Sequence, residues 1–406
     1  MGSGSFIILS NYYIITFWRP TIIYEIRNIT YNLIFGTFLL TNSHSAEVKF
    51  ETTIFIQKCK MRKSILKKLA VIVLTVTLSG TASAQSVDPA QDPQIESHVR
   101  AFLKVLNSKG GKPPEQLPPA NARAGLAKDQ ASVKVDLSGI TKTEKTIDIE
   151  GQSIKLDIVK PENCTDILPA FMFFHGGGWV LGDFPTHERM VRDLVVESGV
   201  AAVFVNYTPS PEAHYPVAIN QAYAATKWVA EHGDEIGVDG KRLAVAGNSA
   251  GGNMATVVAL MAKEKEGPEI KLQVLFWPIT NADFETESYK LFGEGRFLTK
   301  SLMMWFWDNY LPDLNQRKEI YASPLLATTE QLKGLPRALV QTAENDILRD
   351  EGEAYARKLD EAGVKVTVTR YIGMIHDWGL LNALSTVPGT KSAMLQAAAE
   401  LKKALK

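Results

Sequence analysis

The sequence predicts an α/β fold in which a mostly parallel central sheet carries helices on both faces. Six short and nearly continuous apolar runs support this prediction, because a strand covered by helices is buried on both of its faces. These runs lie at 169–175, 201–207, 242–248, 272–278, 337–343 and 364–371. The stretches between them place apolar residues at helical spacing, as in "VAINQAYAATKWVAEHG". Strands that alternate with helices are typical of α/β proteins.

An antiparallel hairpin is expected before the first of these strands. The segments "KTIDIEG" and "SIKLDIVK" alternate apolar and polar residues on either side of a turn at Glu150-Gly151-Gln152. Residues 85–138 lack this alternation, are rich in proline and alanine, and contain helical stretches such as "IESHVRAFLKVLN". We therefore expect N-terminal cap helices over 85–138 and the main domain over 139–406.

A long gap interrupts the alternation between the fourth and fifth runs. From Asn281 to about Tyr321 the chain lacks a strand pattern and contains "LFGEGRFLTKSLMMWFWDNYLP", which is rich in aromatic residues. One interpretation is a core helix with packed rings. The other is a helical cap insertion at about 283–320, which lies over the mouth of a pocket beside the helices after Gln85. Both can hold, since a cap needs apolar contacts of its own.

The first 84 residues divide at Met61. Residues 61–84 begin with basic side chains, continue with an apolar run and end in Ala82-Ser83-Ala84, the pattern of a cleavable signal peptide. We expect the mature protein to begin near Gln85 and to be secreted or periplasmic. Residues 1–60 would then be an upstream or artefactual segment. The competing interpretation of 1–60 is a membrane anchor, but charged residues and a proline interrupt its apolar stretches, so no stable anchor is expected after processing.

The overall composition narrows the classes of function. The 44 basic and 44 acidic residues balance, and no basic stripe stands out, so the sequence does not indicate a nucleic-acid partner. Two cysteines cannot form a disulfide framework or a metal cluster. We therefore expect chemistry from oxygen and imidazole groups, with no metal and no cofactor. The sequence does not indicate an oligomeric state.

The stretch "LAVAGNSAGGN" surrounds one serine, Ser249, with small residues. One explanation is that small residues simply fit the turn after a strand. The other is a nucleophile elbow, a sharp turn from strand to helix that exposes the serine oxygen; its G-x-S-x-G pattern is present at Gly247–Gly251. On this second interpretation, larger residues would block the approach of a substrate carbonyl.

A serine nucleophile needs a base and a group that orients the base. His376 lies in "GMIHDWG" after the last strand. The unperturbed pKa of a histidine, about 6.5, suits a side chain that takes up and releases a proton. Four acidic residues follow the preceding strand in "AENDILRDEGE", namely Glu344, Asp346, Asp350 and Glu351. Several of them would serve equally well as acids at a helix N-terminus. Asp346 is the first choice because it lies closest to the strand end, where α/β sites gather; Asp350 is the second.

The segment "HGGGW" at 175–179 directly follows a buried strand. Glycine runs often mark flexible turns, but this short run between an apolar strand and Trp179 also leaves a backbone free of side chains. Backbone N–H groups exposed in this way can stabilise the negative charge that develops on a substrate carbonyl oxygen. We expect His175 to have a structural role and not to be a second base.

Four motifs, "FFHGGGWVLGD", "AGNSAGGN", "ENDILRDEGEAYA" and "YIGMIHDWG", occur in this order. Together they resemble the hormone-sensitive-lipase-like branch of the α/β-hydrolases, the bacterial carboxylesterases with an HGGG motif. The resemblance covers about residues 90–406. It implies an α/β-hydrolase fold with its catalytic domain at 139–406. It also implies a serine carboxylesterase that hydrolyses short- to medium-chain acyl esters, as small-molecule substrates, through an acyl-enzyme.

The resemblance also implies roles for individual residues. The catalytic residues would be Ser249, Asp346 and His376. The oxyanion hole would be formed by the backbone N–H groups of Gly177, Gly178 and Ala250. The substrate pocket would include Trp179 and Trp378.

The chain departs from the pattern it resembles at three places. Asn248 stands where relatives often carry Asp or Thr, and "NYTPSPEAHYP" has Thr208 where an arginine is usual. Asp377-Trp378 replaces a usual Gly-Phe pair. None of these removes a catalytic group, but they can reshape the pocket.

Two alternatives to an esterase stay open. An amidase or a polysaccharide deacetylase would use the same three side chains, and the motifs do not separate ester from amide cleavage. A ligand-binding protein on a hydrolase scaffold is disfavoured by the presence of His376. The natural substrate and its acyl length are not indicated by the sequence.

Overall fold

The computed structural model describes residues 88–149 and 151–406. The predicted upstream segment 1–60 and the predicted signal peptide 61–84 lie outside these residues. Over the described ranges, one sheet of eight strands runs through the protein in the order β1-β2-β4-β3-β5-β6-β7-β8. The strands are β1 Ile140–Ile149, β2 Gln152–Pro161, β3 Leu168–Phe174, β4 Ala201–Asn206, β5 Val238–Asn248, β6 Ile270–Phe276, β7 Arg337–Asn345 and β8 Val366–Ile375.

The pairing confirms a mostly parallel sheet that begins with an antiparallel hairpin. Strand β1 pairs antiparallel with β2, and β2 pairs antiparallel with β4. All pairs from β4 through β3, β5, β6 and β7 to β8 are parallel. Each of the six apolar runs corresponds to one of the strands β3 to β8. Their continuous apolar character has the predicted cause, because helices cover both faces of the sheet.

The α-helices of the described chain connect these strands. They are α1 Ser97–Ser108, α2 Pro119–Ala131, α3 Phe184–Ser198, α4 Val217–His232, α5 Ala250–Glu264, α6 Glu287–Phe292, α7 Lys300–Tyr310, α8 Thr329–Leu332, α9 Arg349–Glu361 and α10 Pro388–Ala404. Short 3₁₀ helices lie at Pro114–Gln116, Gly233–Ile236, Gln316–Lys318, Pro324–Leu326 and Asn382–Leu384. No helix of the described ranges is both long and apolar enough to cross a bilayer.

Among the residues that the structure describes, two hydrophobic cores lie on opposite faces of the sheet. In β3, Met172 and Phe174 belong to one core, whereas Phe171 and Phe173 belong to the other, as the alternation of side chains along a strand requires. The first core includes residues of α4, α5, α7 and α9. The second includes residues of α1, α3 and α10. The buried strands therefore form a rigid platform for the loops at their ends.

The two helical segments outside the regular alternation contact each other. Helices α6 and α7 lie between β6 and β7, and the segment with α1 and α2 precedes β1. The side-chain amide of Asn107 donates to the carbonyl of Gly295 at 3.0 Å. Arg296 pairs with Asp92 at 2.9 Å, and both side chains are only 10% exposed. These contacts join the N-terminal helices to the insertion, the two segments that were predicted to form a helical cap.

Candidate active site

Ser249 occupies a sharp turn between β5 and α5. Its backbone has φ 54° and ψ −118°, a conformation that residues with a side chain rarely adopt. The neighbouring strand holds this conformation, because the Ser249 N–H donates to the carbonyl of Phe276 at 2.9 Å. Its carbonyl accepts from the N–H of Asn253 at 3.1 Å and of Ile279 at 3.2 Å. This strained turn from strand to helix is the geometry of a nucleophile elbow.

The glycines around Ser249 allow the elbow to pack against the backbone of β3. A Cβ added at Gly251 would lie 2.6 Å from the carbonyl carbon of Phe174 and 2.8 Å from that of His175. A Cβ at Gly247 would lie 2.7 Å from the carbonyl oxygen of Phe174. The small residues were expected to leave room for a substrate carbonyl. Gly247 and Gly251 are instead required by the close approach of two backbones.

The structure brings Ser249, His376 and Asp346 together from three separate loops. Nε2 of His376 lies 3.0 Å from Oγ of Ser249, and Nδ1 lies 2.8 Å from Oδ2 of Asp346. The other oxygen of Asp346 accepts from the N–H of Leu348 at 3.0 Å, which fixes the carboxylate. Asp350, the second candidate, accepts instead from the N–H of Ser288 at 2.8 Å.

Burial and charge act in opposite directions on His376. Burial by itself lowers its pKa, because a charged imidazolium loses hydration there. Attraction to the carboxylates of Asp346 and Asp377, with the hydrogen bond to Asp346, outweighs burial and raises the pKa of His376 above its ordinary value of 6.5. The site therefore favours an imidazolium more than water does.

The predicted oxyanion donors belong to two segments, the turn after β3 and the start of α5. Gly177 and Gly178 have φ of 95° and 60°, so both use the left-handed region that favours glycine. Within residues 88–149 and 151–406, neither of their N–H groups donates a hydrogen bond to the protein. Ala250 is the first residue of α5, where a backbone N–H has no carbonyl one turn back to bond. All three N–H groups are therefore available to an oxygen atom.

The ring of Phe306 from the cap helix α7 covers Gly178. A Cβ added at Gly178 would overlap this ring, and Phe306 is itself 4% exposed. Trp179, also predicted to line the pocket, stacks on Tyr310 at 4.0 Å and meets Trp307 edge-on at 5.0 Å. The aromatic residues of the insertion thus pack directly over the "HGGGW" segment.

The structure does not bring Trp378 to this aromatic cluster. Its ring is fully buried in the core on the opposite face of the sheet. There it packs against Trp277 at 4.2 Å and Tyr371 at 5.2 Å. The predicted place of Trp378 in the substrate pocket beside Trp179 is therefore wrong, because the chain turns back into the core directly after His376.

His175 has the surroundings of a structural residue. Its ring stacks on that of Tyr207 at 4.2 Å, and its Nδ1 lies 2.8 Å from the carbonyl oxygen of Gly176. Burial lowers the pKa of His175 to about 4, so the ring is neutral at ordinary pH. No hydrogen bond of the described residues joins His175 to Ser249.

One network at the site is not indicated by the motifs. The amide of Asn248 accepts from the N–H of Gly176 at 3.0 Å and donates to Oδ1 of Asp377 at 3.0 Å. The indole N–H of Trp277 donates to the same oxygen at 2.6 Å. The departures of residues 248 and 377 from the usual pattern were the only sequence signal for this network, and the sequence does not show that the two residues touch.

Comparisons with known proteins agree with this fold. A protein-family model described as alpha/beta hydrolase fold matches residues 171–380. The carboxylesterase NlhH of Mycobacterium tuberculosis is 36% identical over 264 residues, which cover 64% of this chain and 82% of that protein. An ethyl acetate hydrolase of Pseudomonas putida is 33% identical over 232 residues, 56% of this chain and 72% of that protein.

A solved structure extends the similarity. The thermostable esterase from Pseudomonas putida ECU1011 is 68% identical and covers 78% of this chain and 99% of its own, with a TM-score of 0.77. The chain belongs to the alpha/beta hydrolase fold family. Within that family it is a carboxylic ester hydrolase.

Proposed function

We propose that Ser249 is the nucleophile of this ester hydrolase, His376 its general base and Asp346 the group that orients the base. One observation carries the proposal: the unbroken contact from Ser249 Oγ through both nitrogens of His376 to Asp346. With its proton on Nδ1, the ring donates to Asp346 and accepts from the serine hydroxyl. The bond to the carboxylate thus selects the tautomer that a base requires.

The reaction follows from this arrangement. Oγ of Ser249 attacks the carbonyl carbon of the ester while its proton passes to Nε2 of His376. The imidazolium then protonates the leaving alkoxide, which departs as an alcohol and leaves an acyl group on Ser249. A water molecule gives a proton to Nε2 and attacks the acyl carbon. The bond from this carbon to Oγ then breaks and the imidazolium returns the proton to Oγ, which releases the acid and regenerates the serine and the neutral imidazole.

The backbone supplies the stabilisation of the tetrahedral intermediate. We assign the N–H groups of Gly177, Gly178 and Ala250 to the oxyanion, because none of them has a hydrogen-bond acceptor among the described residues. Each such donor contributes about 10²–10³ in rate in enzymes of this kind.

Two carboxylate variants test the assignment with a built-in control. Asp346→Asn presents an amide to Nδ1 and favours the wrong tautomer, so kcat should fall by about 10⁴. Asp350→Asn removes an acid four residues away that does not contact His376, so kcat should stay close to that of the wild type. Equal activity of the two variants toward p-nitrophenyl butyrate would refute the role of Asp346.

Ser249→Ala tests the nucleophile itself. Removing the nucleophile of such a group lowers kcat by about 10⁶, and labelling by a fluorophosphonate should disappear with it. Hydrolysis of p-nitrophenyl butyrate at nearly the wild-type rate would eliminate Ser249 as the nucleophile.

We propose short- to medium-chain acyl esters as the substrate class. Phe306 packs onto Gly178 and limits the space beside the oxyanion donors, and one relative is named an ethyl acetate hydrolase. A panel of p-nitrophenyl esters from acetate to palmitate should therefore show the highest kcat/KM at the short end. Phe306→Ala should move the optimum toward longer chains. Met304→Ala, on the exposed side of the same helix, is the matched control, and an equal shift in both variants would contradict the role of Phe306.

We also propose export of the protein through a signal peptide at 61–84. Its support is the basic, apolar and small-residue pattern in the sequence. N-terminal sequencing of the protein recovered outside the cytoplasm should give a start near Gln85. A start before Met61 would contradict this proposal.

A further inference from the structure

Asn248 connects two loops of the site from a position directly behind the serine. It is the last residue of β5 and is fully buried. Its side-chain oxygen, Oδ1, accepts a hydrogen bond from the N–H of Gly176, in the segment that carries the proposed oxyanion donors. Its NH₂ group holds Oδ1 of Asp377, which follows His376 in the chain. One side chain thus fixes the oxyanion segment and the histidine loop relative to the elbow.

Asp377 places a second carboxylate next to the imidazole. It is 6% exposed, and its Oδ1 accepts from the amide of Asn248 and the indole of Trp277. Its other oxygen, Oδ2, lies 3.8 Å from Nε2 of His376. Asp346 lies on the opposite side, at Nδ1. The ring is therefore flanked by a carboxylate on each nitrogen.

We propose that Asn248 and Asp377 form a coupled pair of positioning residues that holds a negative charge beside Nε2 of His376. Asp377 stabilises the imidazolium that forms when Ser249 gives up its proton, and Asn248 keeps Asp377 and the Gly176 N–H in place. This inference rests on the proposed roles of Ser249 and His376, and it adds a second source of charge stabilisation to that of Asp346.

Other ionisable groups around the ring do not supply this charge. His187 from α3 is close to Asn248, but burial, with a further contribution from His175, lowers its pKa well below the ordinary value, so it is neutral. Arg189, also on α3, donates to the backbone carbonyls of Gly379 and Leu380. The carboxylates of Asp346 and Asp377 are the two that raise the pKa of His376.

The choice of side chains at the two positions is physically coupled. A carboxylate at 248 would lie against the carboxylate of Asp377 in a buried site, and two like charges in contact disfavour each other strongly. An amide at 248 avoids this repulsion and adds a donor. Exchanging the two residues, with Asp at 248 and Asn at 377, would keep a hydrogen bond between one carboxylate and one amide. The negative charge would then lie at position 248, beside the N–H of Gly176.

The test compares Asp377→Asn, Asn248→Asp and the exchange variant with both substitutions. For each full-length protein, kcat/KM for p-nitrophenyl butyrate is measured against pH, and stability is measured by thermal unfolding. The pKa of His376 is also read directly by NMR of labelled histidine in a Ser249→Ala background, which requires no activity. Asp350→Asn is the control for loss of an acidic residue nearby.

We expect Asp377→Asn to move the midpoint of the pH profile and the NMR titration to lower pH. An opposite charge within about 4–6 Å changes a pKa by about 1–3 units, so the shift should be on the order of one pH unit. Because one unit corresponds to a factor of ten, kcat/KM on the plateau should fall about tenfold. Asn248→Asp should lower the unfolding temperature. The exchange variant should recover that stability while its midpoint stays low.

Several results would overturn the proposal. An unchanged midpoint in Asp377→Asn would show that its charge does not act on His376. Recovery of the wild-type midpoint in the exchange variant would show that the location of the charge is irrelevant. Failure of the exchange to recover stability would show that the two residues are not coupled. If Asp377→Asn does not fold, the exchange variant, which keeps the hydrogen bond, gives the same titration. The Ser249→Ala protein distinguishes these outcomes from a failure of the proposed nucleophile. It should be inactive, while its NMR titration still reports the pKa of His376.

Discussion

Replacing Gly251 with alanine should damage both the stability and the activity of this protein. The added Cβ would lie 2.6 Å from the carbonyl carbon of Phe174 and 2.8 Å from that of His175, and closer still to the Phe174 carbonyl oxygen. Real Cβ atoms essentially never approach other atoms within 3.0 Å. These neighbours are backbone atoms in a buried strand, so no side-chain rotation relieves the clash. Either α5 or the end of β3 must move.

The magnitude follows from what moves. Forcing an extra carbon into a packed interior costs about 1–3 kcal/mol of stability. The shift also separates Ser249 and Ala250, at the start of α5, from Gly177, which follows β3. A misplacement of about 1 Å at a catalytic centre can lower the rate by about 10². We therefore expect kcat to fall about 10²-fold together with the loss of stability.

The assay combines urea unfolding with kcat for p-nitrophenyl butyrate. Gly125→Ala is the matched control, because Gly125 lies exposed within α2 and a Cβ there meets no atom of the described residues within 4 Å. Alanine is favoured over glycine in a helix interior by roughly 0.5–1 kcal/mol, so this control should be slightly more stable and fully active. If Gly251→Ala matched the control in both measurements, the argument from backbone contact would be refuted.

Three further predictions concern pH and the cap. The value of kcat/KM should rise with pH through the titration of His376, with a midpoint above 6.5 because its pKa is raised; a flat profile between about pH 5 and pH 8 would contradict its role as base. His175 has a pKa of about 4 when folded and 6.5 as its ordinary value. Between these two pH values His175 is protonated in the unfolded chain but not in the folded chain. About 3 kcal/mol of stability should therefore be lost as pH falls from about 6.5 to 4. Thermal unfolding across this range tests the prediction, and the His175→Asn variant should lose less stability. Asp92→Asn leaves Arg296 buried without its charge partner and should cost about 3 kcal/mol, whereas Asp129→Asn, at an exposed pair, should change the unfolding temperature little.

Strands β3 to β8 could be predicted from the sequence because strands that are buried on both faces have nearly continuous apolar runs. One of the less accurate boundaries is the end of β8, a strand predicted at 364–371 and observed at Val366–Ile375. This strand lies at the edge of the sheet, so most of its residues are only partly buried or exposed, and its buried residues come at its end. Gly373 interrupts the apolar pattern there. Edge strands carry weaker patterns because one side lacks a neighbour.

The candidate site could be predicted in part. The motifs locate Ser249 and His376, since each follows a strand end. The sequence favoured Asp346 over Asp350 by its place near the strand end, but only the coordinates show that the carboxylate of Asp346 contacts His376. Trp378 was misplaced for a related reason. Its distance from His376 along the chain is short, but the direction of its ring depends on how the loop turns.

The pair formed by Asn248 and Asp377 shows what a residue-by-residue comparison with a family pattern misses. The two residues are 129 positions apart in the chain, and each departs from the pattern for its own motif. Taken alone, Asn248 looks like the loss of a charge and Asp377 like the gain of one. The 3.0 Å hydrogen bond between them links the two departures physically. A carboxylate at both positions would bring two negative charges together in a buried site. Compared with a relative that carries Asp at 248 and Gly at 377, the number of charges next to the serine is unchanged, but the charge here lies within 4 Å of the imidazole nitrogen that accepts the proton.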